Sequence, residues 1–197
     1  MKRRTFDRVV SVAGLALAVL LLTAGGLLTW AHSFVHDEVH SELAAQKIFF
    51  PPEGSDAIAA PEFAAMHQYA GQQLVTGQQA KTYADHFIAV HLQEIGGGKT
   101  YAQLSADALA HPNDTKLADT VNTMFKGETL RGLLLNAYAF DTVGNVAGIA
   151  AWVTFVGGGL MLVFAGLGFW HSRQVSADAT IFATSPRAAP PAVGVNS

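Results

Sequence analysis

The sequence predicts an all-α membrane protein, with two transmembrane helices flanking a small helical extracytoplasmic domain. Three observations predict it. Two long runs carry no charge, basic residues stand outside both, and the segment between them shows helical apolar spacing without strand-like alternation.

From Val9 to Ala31, 23 residues pass without a charge, and from Thr142 to Trp170 a further 29 do. About 20 apolar residues cross a bilayer as a helix, so both runs suffice. The first follows Lys2, Arg3, Arg4 and Arg8. It is longer than a secretory signal core and is followed by no small-x-small cleavage site, so it reads as an uncleaved anchor. Arg173 and Arg187 follow the second run. Basic residues favour the cytoplasmic side, which puts both termini inside and 32–141 outside the plasma membrane. The expected organisation is a cytoplasmic N-terminus (1–8), a first span (9–31), a helical extracytoplasmic domain (32–141), a second span (142–170) and a disordered cytoplasmic tail (171–197).

The outer segment holds 13 acids, 6 bases and seven of the eight histidines, a net charge of −7 before histidine protonation. That balance argues against nucleic acid and anionic lipid surfaces as its partner. The chain has no cysteine, which rules out disulfides, thiolate metal sites and cysteine nucleophiles.

Within that segment, Phe34–Lys47 continues the first span outward until Phe49-Phe50-Pro51-Pro52, where a double proline cannot remain helical. Glu53-Gly54-Ser55-Asp56 reads as a turn. Pro61 suits a first helical turn, and a helix is expected over 62–73. Ala80, Ala84, Phe87, Ile88, His91 and Ile95 share three/four spacing, which predicts an amphipathic helix ended by Gly96-Gly97-Gly98. Tyr101, Leu104 and Leu109 predict a short helix before Pro112. Asn113 or Asp114 caps the next, in which Leu117, Val121, Met124 and Phe125 share a face. The stretch 128–141 leads helically into the second span.

Four stretches bear on chemistry. His32, His36 and His40 recur every fourth residue and form one helical stripe. His36 and His40 lie about 6 Å apart along the axis, a spacing that lets the pair bind a metal, whereas one ion cannot take all three. His36-Asp-Glu-Val-His40 differs from the zinc-hydrolase pattern His-Glu-x-x-His, because Asp37 stands where the water-activating glutamate belongs. A polar helix face leaving the membrane, with Trp30 and His32 at headgroup level, explains the same residues without metal. His86 and His91 are five apart and do not form a chelating pair; His91 reads as a partly buried or surface histidine. Gly96-Gly-Gly-Lys-Thr100 resembles the end of a phosphate loop, but Gln93 occupies the place of its first glycine.

The fourth stretch, Glu128 to Asp141, sets Arg131, Asn136, Tyr138 and Asp141 into an otherwise apolar helix. Arg131 is expected to pair with Glu128, Glu38 or Glu42, or else to snorkel. Gly144 and Gly148, followed by Gly157-Gly158-Gly159, make a small-residue face for close packing on the first span or on another subunit. Gly144, Gly148, Arg131 and Asn136 are thus the expected helix-packing residues. Neither span holds the ionisable residue that ion pathways use.

Ala45-Gln-Lys-Ile-Phe-Phe-Pro-Pro52, Tyr83-Ala-Asp-His-Phe-Ile-Ala-Val-His91 with Gly97-Gly-Lys-Thr-Tyr101, and Lys126 to Tyr138 resemble an uncharacterised family of two-pass actinobacterial membrane proteins. The resemblance runs from about Arg4 to Arg173 and implies the same two-span topology. Some members are designated aromatic ring-opening dioxygenases, whose non-haem iron site wants two histidines and a carboxylate around open positions. The residues here do not supply that set, and the resemblance carries no activity onto particular positions.

The expected function is non-enzymatic: an accessory or scaffolding subunit, without cofactor, that contacts the lipid bilayer and another envelope protein or a second copy. A second expectation is an extracytoplasmic pH or metal sensor. Histidines change charge near pH 6.5, and seven of them could offset the −7 charge. An enzyme of unspecified type is the third.

Overall fold

The computed structural model describes residues 3–174, and these are all-helical, without a strand. The tail expected beyond Gln174 lies outside the described residues. Two helices dominate, α1 (Arg3–Ala45) and α5 (Thr115–Gln174). Both are long and apolar enough to cross a membrane. Between them lie 3₁₀ turns at Asp56–Ile58 and Pro61–Tyr69, then α2 (Gly77–Tyr83), a π-helical segment (Ala84–Ile88), α3 (Ala89–Ile95) and α4 (Tyr101–Ala110).

Local chemistry sets most boundaries. Helix α1 stops two residues before Lys47, which adopts a left-handed φ of 54°. The side chain of Gln73 donates to the carbonyl of Ala44 at 2.8 Å, satisfying one of the end carbonyls that have no helical partner. Thr76 with Gln79 and Thr100 with Gln103 form capping boxes on α2 and α4. The carboxylate of Asp114 accepts from the N–H of Leu117 and caps α5. Gly97 and Gly98 take φ of 58° and 79° after α3, a conformation that residues with a Cβ rarely adopt.

Two elements differ from the spacing-based expectation. The helix expected over 62–73 is a 3₁₀ helix that ends at Tyr69. Its continuation is consumed by a backbone pairing: Phe50 N–H donates to Gln72 and Leu74 N–H to Ile48, both at 2.9 Å, with Phe49 bridging Gln73. Gly71, at φ 71°, turns the chain into that pairing. The helix expected after Gly77 is present but passes through the π-helical segment, where Ala89 N–H bonds Ala84. Three/four spacing is blind to one wider turn.

The chain divides into two units. In the unit of 26–151, Phe50, Ile58, Met66, Leu74, Leu43, Met124 and Leu134 are fully buried. Each such side chain contributes about 1.5–3 kcal/mol relative to exposure. An aromatic series adjoins them, with Phe50 against Tyr69 and Tyr83, Tyr83 against Phe87, and Phe63 and Phe87 against His91. Burial pushes the Tyr83 phenol above its usual pKa and keeps it neutral.

In the other unit, described over 3–25 and 152–174, the parts of α1 and α5 are antiparallel. A Cβ on Gly14 would touch Ala165, and one on Gly158 would stand 3.0 Å from Leu22. Their outer faces are apolar and exposed, including Val12, Leu20, Val156, Val163 and Trp170.

Candidate functional site

Within the unit of 26–151, α5 comes close to α1 at two of the glycines expected to pack. A Cβ on Gly144 would lie 3.0 Å from Val35 Cγ1, and one on Gly148 would lie 2.9 Å from His32 Nδ1. Both glycines are covered by α1 of the same chain rather than left for another subunit. His32 donates Nδ1–H to the carbonyl oxygen of Gly144 at 2.8 Å. A carbonyl accepts only, so this contact requires a proton on Nδ1.

One turn before Gly144, Asp141 joins three elements. Its Oδ1 lies 3.0 Å from His36 Nδ1. Its side chain also presses on α2: a Cβ on Gly77 would stand 2.8 Å from Asp141 Cγ. The Asp141 carboxylate is mostly buried and His36 is about one-third exposed. His36, His40, Asp37, Thr76 and Asp141 border a cavity of about 230 Å³. His40 itself is exposed, and His32 and His36 meet edge to face at 4.4 Å. Among the described residues no group of three or more histidines, aspartates or glutamates is placed to hold a metal ion.

The polar residues of 128–141 take different places. Arg131 does pair with Glu128, at 3.6 Å, but its closer partner is Asp85 on the π-helical segment, at 3.2 Å. Glu38 and Glu42, the other expected partners, instead border an apolar groove. Asp85 also pairs with Lys81, whose ammonium lies 5.4 Å above the Tyr138 ring. Tyr138 is thus half-buried beneath a lysine, although its sequence position also suited the membrane interface. Asn136 is exposed and takes no part in this packing.

Hydrogen bonding from Lys81 and then Arg131 outweighs burial and holds the Asp85 carboxyl below its ordinary value of 3.8. The same carboxylate raises the Lys81 ammonium above 10.5. The network ties α2 and the π-helical segment to α5, and its Glu128 and Arg131 line a cavity of about 220 Å³ together with Lys99 and Thr100.

Three further histidines lie apart from this junction. His91 is half-buried between Phe63 and Phe87 and bonds the Phe87 carbonyl oxygen at 2.8 Å. His86 is exposed, and His67 meets Glu53 at the surface. The glycine triplet after α3 terminates that helix, and Lys99 pairs with Asp107.

No protein-family model matches this chain, and neither a curated protein nor a solved structure does.

Replacing Asp85 with asparagine removes the anion that Lys81 and Arg131 share. The expected loss at neutral pH is about 1–2 kcal/mol, the range of a charge-assisted hydrogen bond discounted for partial exposure. Because the folded pKa of Asp85 is lowered, its contribution is complete above pH 3.8 and is lost as pH falls through the folded value. Thermal unfolding of the detergent-solubilised chain should therefore separate wild type from Asp85→Asn at pH 7, with the gap closing under strong acid.

Proposed function

We propose that this chain is a two-span integral membrane protein that serves, without catalysis, as an accessory or scaffolding subunit for another envelope membrane protein. Both termini face the cytoplasm and 32–141 is extracytoplasmic. The observation that carries the membrane part is the bare apolar surface of α1 and α5. In their most apolar stretches only 17% and 11% of residues are buried. The core helix of a water-soluble protein hides such a stretch; a helix in lipid does not need to. The basic residues before α1 and near the end of α5 support the orientation.

The subunit part rests on how the polar residues are used. Arg131, Asp85, Lys81 and Glu128 are engaged in holding helices together, and Asp141 is engaged by His36. This is the use expected of a rigid shape offered to a partner. Native mass spectrometry of the chain, gently extracted from its own membrane, tests the reading. A stoichiometric complex with a different membrane protein is the expected result. A chain that leaves the membrane only as itself contradicts it.

A second reading, a pH sensor, is favoured by the joint placement of His32 and His36 where α1 meets α5. Protonation of His36 turns its hydrogen bond to Asp141 into an ion pair and would tighten that junction. The titratable groups around His36 there are Asp141 from α5 and His32, Asp37 and His40 from α1. On this reading, acidification from pH 7.5 to 5.5 slows hydrogen exchange in 32–40 and 141–148, and His36→Gln abolishes the slowing. An identical response in the variant would exclude His36 as the sensing group.

A further inference from the structure

Beyond the ends of the apolar runs, α1 and α5 leave an open groove of about 400 Å³ between them. Val39 and Leu43, both buried, lie at its floor. Phe34, Leu133 and Phe140 line it and are 54–64% exposed. Glu38 and Glu42 border the same groove one helical turn apart. Among the described residues neither carboxylate pairs with a cation. Like charges at this spacing repel, so the pair weakens α1 unless something opposite neutralises it.

Lipid tails do not cover this groove if the spans end at Ala31 and Thr142. At 1.5 Å per residue, Glu38 and Glu42 stand about 10 and 16 Å past Ala31 along the helix, and Leu133 about 13 Å before Thr142. Headgroups add about 5–8 Å on each side of the hydrocarbon. Phe34 and Phe140 therefore lie at headgroup level, while the end of the groove at Glu38, Glu42 and Leu133 stands above it, where an exposed apolar patch meets water and marks an interaction surface. A second copy fits poorly, because a two-fold contact sets the same patch against itself and gathers four carboxylates.

We propose that this groove receives an amphipathic helix of another membrane protein, with large apolar residues along one stripe and Lys or Arg three or four positions apart beside it. The apolar stripe fills the space over Val39 and Leu43, and the cations meet Glu38 and Glu42. The inference rests on the accessory-subunit reading and names the chemistry of its partner.

The test uses the full chain in nanodiscs of zwitterionic lipid and two synthetic helical peptides. Both peptides share one leucine- and phenylalanine-bearing face; one flanks it with lysines, the other with glutamates. The lysine peptide should bind wild type about tenfold more tightly than it binds the doubly substituted Glu38→Gln, Glu42→Gln chain, as two exposed ion pairs supply. It should also bind wild type more tightly than the glutamate peptide does, and the preference should shrink in high salt. Equal binding of the lysine peptide to both chains overturns the proposal. So does a wild-type dimer in light scattering that the glutamine substitutions strengthen and Phe140→Glu abolishes, since a second copy would then occupy the groove. If a native partner binds the doubly substituted chain as tightly as it binds wild type, the accessory reading stands and the groove assignment alone falls.

Discussion

The close approach of α5 to α1 at Gly144 and Gly148 is the contact on which the rest of the 26–151 unit depends. Any side chain at either position would meet Val35 or the His32 ring at or inside contact distance. With hydrogen there instead, the Gly144 carbonyl comes within reach of the His32 N–H. One turn earlier along α5, the same proximity brings Asp141 to His36 and against the start of α2 at Gly77. Two turns earlier again, Leu134 is buried in the shared core, and Arg131 reaches Asp85 beside it. A wider gap at the glycines would loosen each of these contacts in turn.

The polar contacts divide the work. Packed aliphatic and aromatic side chains supply most of the stabilisation, and the charged groups select one arrangement among those the apolar surfaces permit. Arg131 illustrates this. It is held by Glu128 on its own helix and by Asp85 on the π-helical segment, so it ties that segment to α5. Asp85 lies on that segment, within the wider turn.

Much of this architecture was legible from local rules. The two apolar runs, the outward extension of α1, the cap at Asp114, the short helix before Pro112 and the stop at Gly96-Gly97-Gly98 each depend on neighbours within a few residues. What sequence reasoning missed depends on distant partners. The pairing of 48–50 with 72–74 diverted a helix expected to run on to Gln73. The π-helical turn breaks no apolar period strongly enough to be seen. Arg131 was recognised as a packing residue, yet Asp85, 46 positions away, gave no signal as its partner. His36 was singled out for metal spacing with His40, whereas the structure joins it to Asp141; the aspartate's place one turn before Gly144 was the available clue. Asn136 resembled its polar neighbours in sequence but faces away from the packing.

The central claim is that α1 and α5 each cross the membrane once, with the segment between them outside. The absence of cysteine makes this directly measurable, since a single introduced thiol is the only one to label. Cysteine placed at exposed Glu62 or Asn113, and separately in 175–197, should be probed in intact cells with a membrane-impermeant maleimide. The account predicts labelling at Glu62 and Asn113 in intact cells, and labelling in 175–197 only after the membrane is opened. Protection of Glu62 and Asn113 until lysis, or labelling of all sites alike, would contradict it.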